Sequence, residues 1–142
     1  WVIDLEKGTV SEEQLDDGAC DFPRINDQLI GLKSEYGYCM QLKTDVEDLT
    51  FGEHLFKYHL ESGKRTDHHL GTNVAGGEPV FASKPEPSCE DEGWILSLVH
   101  ERDTRQSKLV IIDAQDFDQE PVAEILIPQR VPYGAHGSWI QD

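Results

Sequence analysis

Six histidines are the residues of this 142-residue chain best suited to chemistry, because neutral imidazole binds iron, copper and zinc. Spacing removes most of them. His54 and His59 lie five apart in a strand-like stretch, so their side chains project to opposite faces. His68 and His69 are adjacent and diverge for the same reason. Glu53-His54 opens no HExxH helix, which excludes a zincin. His100 ends the apolar run from Trp94 to Val99 and reads as an ordinary strand residue. His136 differs in its setting, Arg130-Val131-Pro132-Tyr133-Gly134-Ala135-His136-Gly137-Ser138-Trp139. Gly134 and Gly137 are expected to let the backbone approach a site closely and aim the ring inward. The proline and aromatics around it predict a rigid, dry surround. On residues alone two readings stand: a metal ligand, or a histidine packed in a loop.

Most of the 28 acidic residues read as solvated turn positions. Glu78 is the exception, set among small and apolar residues in Ala75-Gly76-Gly77-Glu78-Pro79-Val80-Phe81. A carboxylate there costs several kcal/mol unless it meets a partner. An imidazole N–H would serve, and so would an arginine such as Arg24. Asp21, in Cys20-Asp21-Phe22-Pro23-Arg24-Ile25-Asn26, sits beside a similar apolar step with the same two explanations open.

Strands must position these residues. Alternating or apolar runs predict them at 1–5, 36–42, 54–60, 79–82, 94–100, 108–113 and 122–127. One helical turn is expected at Ser11–Leu15. A strand–turn–strand unit recurs, with Gly8 and Gly63 55 positions apart and a third turn near Asp116–Asp118. A period near ~50 residues with about four strands per unit is that of propeller blades, of which a ring needs roughly four to eight. The chain supplies fewer, so it reads as a fragment. A β-sandwich with chance spacing is the alternative.

Composition bounds the partners. Twelve basic residues against 28 acidic give a net charge of −16, which repels phosphate backbones and anionic lipid headgroups. Nucleic acid and a stable membrane anchor are therefore not expected, and no apolar run reaches the ~18 residues of a membrane span. Cys20, Cys39 and Cys89 form no CxxC, which argues against a disulfide framework and a zinc site and for a reducing, cytoplasmic setting. The chain opens on Trp1-Val2-Ile3-Asp4-Leu5, which reads as mid-strand, so further polypeptide is expected upstream.

Five segments resemble the carotenoid oxygenase family. Asp21-Phe22-Pro23-Arg24-Ile25-Asn26 is similar to its E-F-P-R-I-N, and Tyr36-Gly37-Tyr38 to the Y-G/A-Y that follows. Gly77-Glu78-Pro79-Val80-Phe81 resembles G-E-P-x-F, and Glu90-Asp91-Glu92-Gly93-Trp94-Ile95-Leu96-Ser97 resembles E-D-D-G-W-x-L-S. Arg130 to Trp139 is similar to the closing R-V-P-x-G-F-H-G-x-W. The resemblance implies an all-β fold, a seven-bladed propeller with Fe(2+) held on its axis by four histidines. Residues 1–142 would be its C-terminal part, two to three blades without an internal boundary. His136 would be one iron ligand, and Glu78 and Asp21 would stand behind the ligands as acceptors of imidazole N–H bonds. Asp21 departs from the family's Glu and is shorter by a methylene. Ala135 stands where an aromatic is common, which would widen the cavity near the metal.

The activity so implied is cleavage of a C=C bond in a carotenoid, apocarotenoid or stilbene-type substrate, using O2 and giving two carbonyl products. The partners are then a small apolar alkene, O2 and the rest of the polypeptide. One ligand cannot hold iron tightly, so this stretch alone is expected to be inactive. A retinoid-type isomerase on the same scaffold and a non-enzymatic β module are the alternatives.

Overall fold

Alternation at period two is clearest in Gly93–Glu101, where residues 93, 95, 97 and 99 are buried and Leu98 is exposed. A strand with one face inward requires that pattern. The computed structural model describes residues 1–44, 50–134 and 136–140. Among them eleven strands form three antiparallel sheets, and the expected all-β fold is the observed one.

β1 (Val2–Asp4) and β2 (Thr9–Ser11) make a hairpin. β3 (Cys20–Arg24), β4 (Tyr36–Lys43), β5 (Thr50–His59) and β6 (Lys64–His69) pair in chain order. In the third sheet β9 (Gly93–Glu101), β10 (Ser107–Asp113) and β11 (Ala123–Ile127) follow one another, while β7 (Val74–Ala75) and β8 (Val80–Ser83) both pair with β9. The recurrent turn takes physical form at Gly8 (φ +63°) and Gly63 (φ +68°), both left-handed in hairpin turns. The link after β10 is longer and uses no such glycine.

The helical turn expected at Ser11–Leu15 does not form. Ser11 pairs with Val2 at the end of the β1–β2 ladder. Beyond it, the Gln14 amide donates to the Asp16 carbonyl and the Asp17 carboxylate, local bonds that compete with helix in a stretch too short to nucleate one.

The core lies between the second and third sheets. Tyr38, Met40 and Leu55 meet Phe81, Ile95, Val99, Val110 and Ile112, and Phe117 closes the cluster from the loop after β10. Each such side chain contributes roughly 1.5–3 kcal/mol on full burial. Polar links fix how the sheets meet. The Lys57 ammonium donates to Asp91 at 2.7 Å and to the Ala114 carbonyl at 2.7 Å, and stands 4.3 Å from the Tyr36 ring. The Glu90 carboxylate accepts from the backbone N–H groups of Glu35 and Tyr36. The acidic stretch Glu90-Asp91 thus joins sheets rather than facing solvent.

Candidate functional site

Glycines set the position of Glu78. A Cβ at Gly76 would lie 2.6 Å from both Leu70 and the Met40 sulfur, and one at Gly77 2.6 Å from the Leu98 carbonyl oxygen. Only a bare backbone passes there. Gly77 is stitched to β9 by the Ser97 hydroxyl, which accepts from its N–H and donates to its carbonyl. The Glu78 side chain emerges beyond this crossing only 8 % exposed.

Among the described residues, the hydrogen bonds of that carboxylate are all received. Oε2 accepts from the Gly137 N–H at 2.5 Å, and Oε1 accepts from Nδ1 of His136 at 3.1 Å and from Nη1 of Arg24 at 3.1 Å. Burial pushes the Glu78 carboxyl up, but the bonds from Gly137, His136 and Arg24 outweigh it and hold the group below its ordinary value. An ionised carboxylate only accepts, so Nδ1 carries the proton. The lone pair of a neutral ring is then at Nε2, on the side away from Glu78. The two partners left open for Glu78 by sequence, an imidazole and Arg24, are both present.

Arg24 reaches the site from β3. Its Nη1 also donates to the Gly137 carbonyl at 2.6 Å, and its Nη2 pairs with Asp27 at 2.8 Å. The β3–β4 register shifts between Asp21 and Arg24, and Phe22 adopts φ +54°, a strained conformation for an aromatic residue before proline. This bulge places the Phe22 ring edge-on to His136, with centroids 5.4 Å apart. Phe22 was not anticipated; a bulky residue preceding proline within a strand is the signal that marks it.

Two expectations for His136 are corrected. Its side chain is 75 % exposed, so the described residues provide no dry surround. A Cβ at Gly134 would meet nothing and one at Gly137 only ordinary contacts, so neither glycine is required for a close approach. At Gly137 the backbone N–H and carbonyl do the binding. Beside the imidazole lies a cavity of about 240 Å³, walled mainly by Phe51, Leu96, Leu98, Leu109 and Val131.

Asp21 is not brought to Glu78 or His136 by its bonds. Its carboxylate accepts from the adjacent Phe22 N–H at 2.7 Å, within the bulge, and borders a smaller apolar recess with Phe51 and Tyr133. Ala135 lies outside the described residues. The other histidines disperse. His54 and His69 face each other across β5 and β6, His59 meets Glu35, and His68 is buried with Nδ1 at 2.8 Å from the Phe117 carbonyl. Among the described residues no three potential ligands converge; His136 pairs with a buried carboxylate and keeps its other nitrogen free of hydrogen bonds, whereas His59, on Glu35, has its second nitrogen bonded to Ser62. That donor set suits one corner of a histidine-bound metal centre.

Comparison with known proteins identifies the family of this chain. The family model for the retinal pigment epithelial membrane protein matches residues 1–141. An apocarotenoid-15,15'-oxygenase from Synechocystis sp. is 32 % identical over 141 residues, covering 99 % of this chain and 29 % of that protein. A carotenoid 9,10(9',10')-cleavage dioxygenase from Crocus sativus is 32 % identical, covering 99 % and 28 %. Among solved structures, cobalt-substituted Synechocystis apocarotenoid oxygenase superposes with a TM-score of 0.88 at 32 % identity, over 99 % of this chain and 29 % of that one. This chain therefore spans somewhat under a third of the length of the relatives it matches, and its fold is that of a stretch of β-propeller. The chain belongs to the family of the retinal pigment epithelial membrane protein, which is that of the carotenoid cleavage oxygenases.

Proposed function

We propose that residues 1–142 are two to three C-terminal blades of a seven-bladed propeller enzyme, a soluble cytoplasmic iron(II) dioxygenase that splits a C=C bond of a carotenoid, apocarotenoid or stilbene-type substrate with O2. The observation that carries this is the bond from Nδ1 of His136 to Glu78. It fixes the tautomer and leaves Nε2 as the ligand atom. His136 would hold one position of the metal and upstream histidines the others. Bound iron supplies the redox chemistry that lets O2 react with an alkene. Glu78 keeps the proton on Nδ1 and stops the ring rotating. The apolar lining of the cavity beside His136 suits a hydrocarbon chain. Family membership and the names of the relatives support this reading.

The full-length protein tests it. Purified protein should contain close to one iron per chain and convert a carotenoid or apocarotenoid to two carbonyl products, each carrying label from ¹⁸O2. Glu78→Gln should weaken iron binding by about 10–100-fold, the usual cost of losing such a bond. Iron-free protein without oxygen-dependent cleavage would point to a non-enzymatic module. Isomerised product without label would point to a retinoid-type isomerase.

A further inference from the structure

Arg24 makes bonds that the proposed chemistry does not by itself demand. Its Nη1 reaches Glu78 Oε1 at 3.1 Å and the Gly137 carbonyl at 2.6 Å, while Gly137 returns its N–H to Glu78 Oε2. Arginine, carboxylate and the Gly137 backbone thus close a triangle. Nη2 is anchored on Asp27, beside the short 3-10 turn at Asp27–Leu29, so the guanidinium plane is held from behind. The side chain is only 16 % exposed, and its bonds to Glu78 and Asp27 are partly shielded from water.

The consequence falls on the imidazole. With Oε2 held by Gly137 and Oε1 shared with Arg24, the carboxylate has one orientation, and its remaining acceptor direction at Oε1 receives Nδ1 of His136. Gly137, the residue that follows His136, is gripped at both its N–H and its carbonyl. Backbone and ring are therefore set by one structure, and that structure is assembled by a residue 54 positions from Glu78 and 113 from Gly137. The register shift in β3 and the positive φ of Phe22 lie immediately before Arg24.

We propose that Arg24 is the positioning residue of the centre, acting through Glu78 and Gly137 to fix His136 in its ligating geometry. This rests on the reading of His136 as a metal ligand. Lysine cannot replace it, because a single ammonium lacks the planar fork that meets Glu78, Gly137 and Asp27 together. The test uses the full-length protein, with the iron(II) dissociation constant measured by chelator competition and the thermal midpoint of the metal-free form measured alongside. Arg24→Gln should weaken iron binding about tenfold or more, Arg24→Lys should recover only part, and Asp27→Asn should fall between wild type and Arg24→Gln. Cobalt-loaded Arg24→Gln protein should also show a shifted visible spectrum, which lost stability alone would not produce. Wild-type affinity and an unchanged cobalt spectrum in Arg24→Gln would overturn the proposal, as would full rescue by lysine. Failure of the wild type itself to bind iron would instead overturn the functional reading.

Discussion

Buried His68 shows how much one residue's surroundings decide. Burial holds its imidazole below the ordinary value of 6.5, although the Phe117 carbonyl pulls the other way. The folded state thus prefers the neutral ring. A depressed folded value means that this stability is complete above about pH 6.5 and is lost as pH falls through the folded value. The urea midpoint of the full-length protein should drop between pH 7 and 5.5, and His68→Gln should flatten that slope. An equal slope in both proteins would refute the assignment. The same scale shows the limits of sequence. Glu78 was legible as a buried acid because its neighbours are small and apolar, yet spacing could not say whether imidazole or arginine would meet it. Both do, and the arginine comes from a strand that pairs with neither neighbour of Glu78.

At the scale of elements, period-two alternation located β9 and β10, which each bury one face, while apolar runs located β4 and β5, whose central residues are buried on both faces. It missed β2, β3 and β6 as separate strands for a physical reason. Lys64–His69 is almost wholly polar and pairs along β5 at a sheet edge, while β3 is interrupted by its bulge and Pro23. Backbone pairing can hold such strands without an apolar signature. The glycine crossing before Glu78 is the element on which the site depends most. Gly77→Ala should destabilise the protein by about 1–3 kcal/mol, because the added methyl meets the Leu98 backbone rather than a yielding side chain. Iron affinity should fall with it as Glu78 is displaced. Denaturant unfolding and chelator titration of the same variant check both, and a neutral result in both would contradict the crossing's tightness.

For the whole molecule, the Lys57–Asp91 pair matters because it ties the second sheet to the segment that leads into the third. Removing one partner leaves a buried charge, which typically costs about 3–5 kcal/mol, whereas apolar replacement of both can be close to neutral. Lys57→Met should therefore destabilise the protein far more than Lys57→Met combined with Asp91→Leu. Equilibrium unfolding of the singles and the double would show this as strong coupling, and additive losses would refute it. The family motif Glu90-Asp91-Glu92-Gly93-Trp94 was legible as a motif, but its work in joining sheets was not, since its partners lie at positions 35, 36 and 57.

The imidazole at position 136 does not ride on a strand. From Pro128 onward the described chain forms no sheet pairing, and it is fastened by the Val131 N–H on the Ser107 hydroxyl, by Tyr133 against Phe51, and by the grip on Gly137. These local fastenings can let go together while the second and third sheets stay intact, an opening far smaller than unfolding. On the proposed reading of His136, loss of the metal position and loss of the fold would be separate events. An inactive full-length preparation with unaltered circular dichroism would be the signature of this segment unlatched.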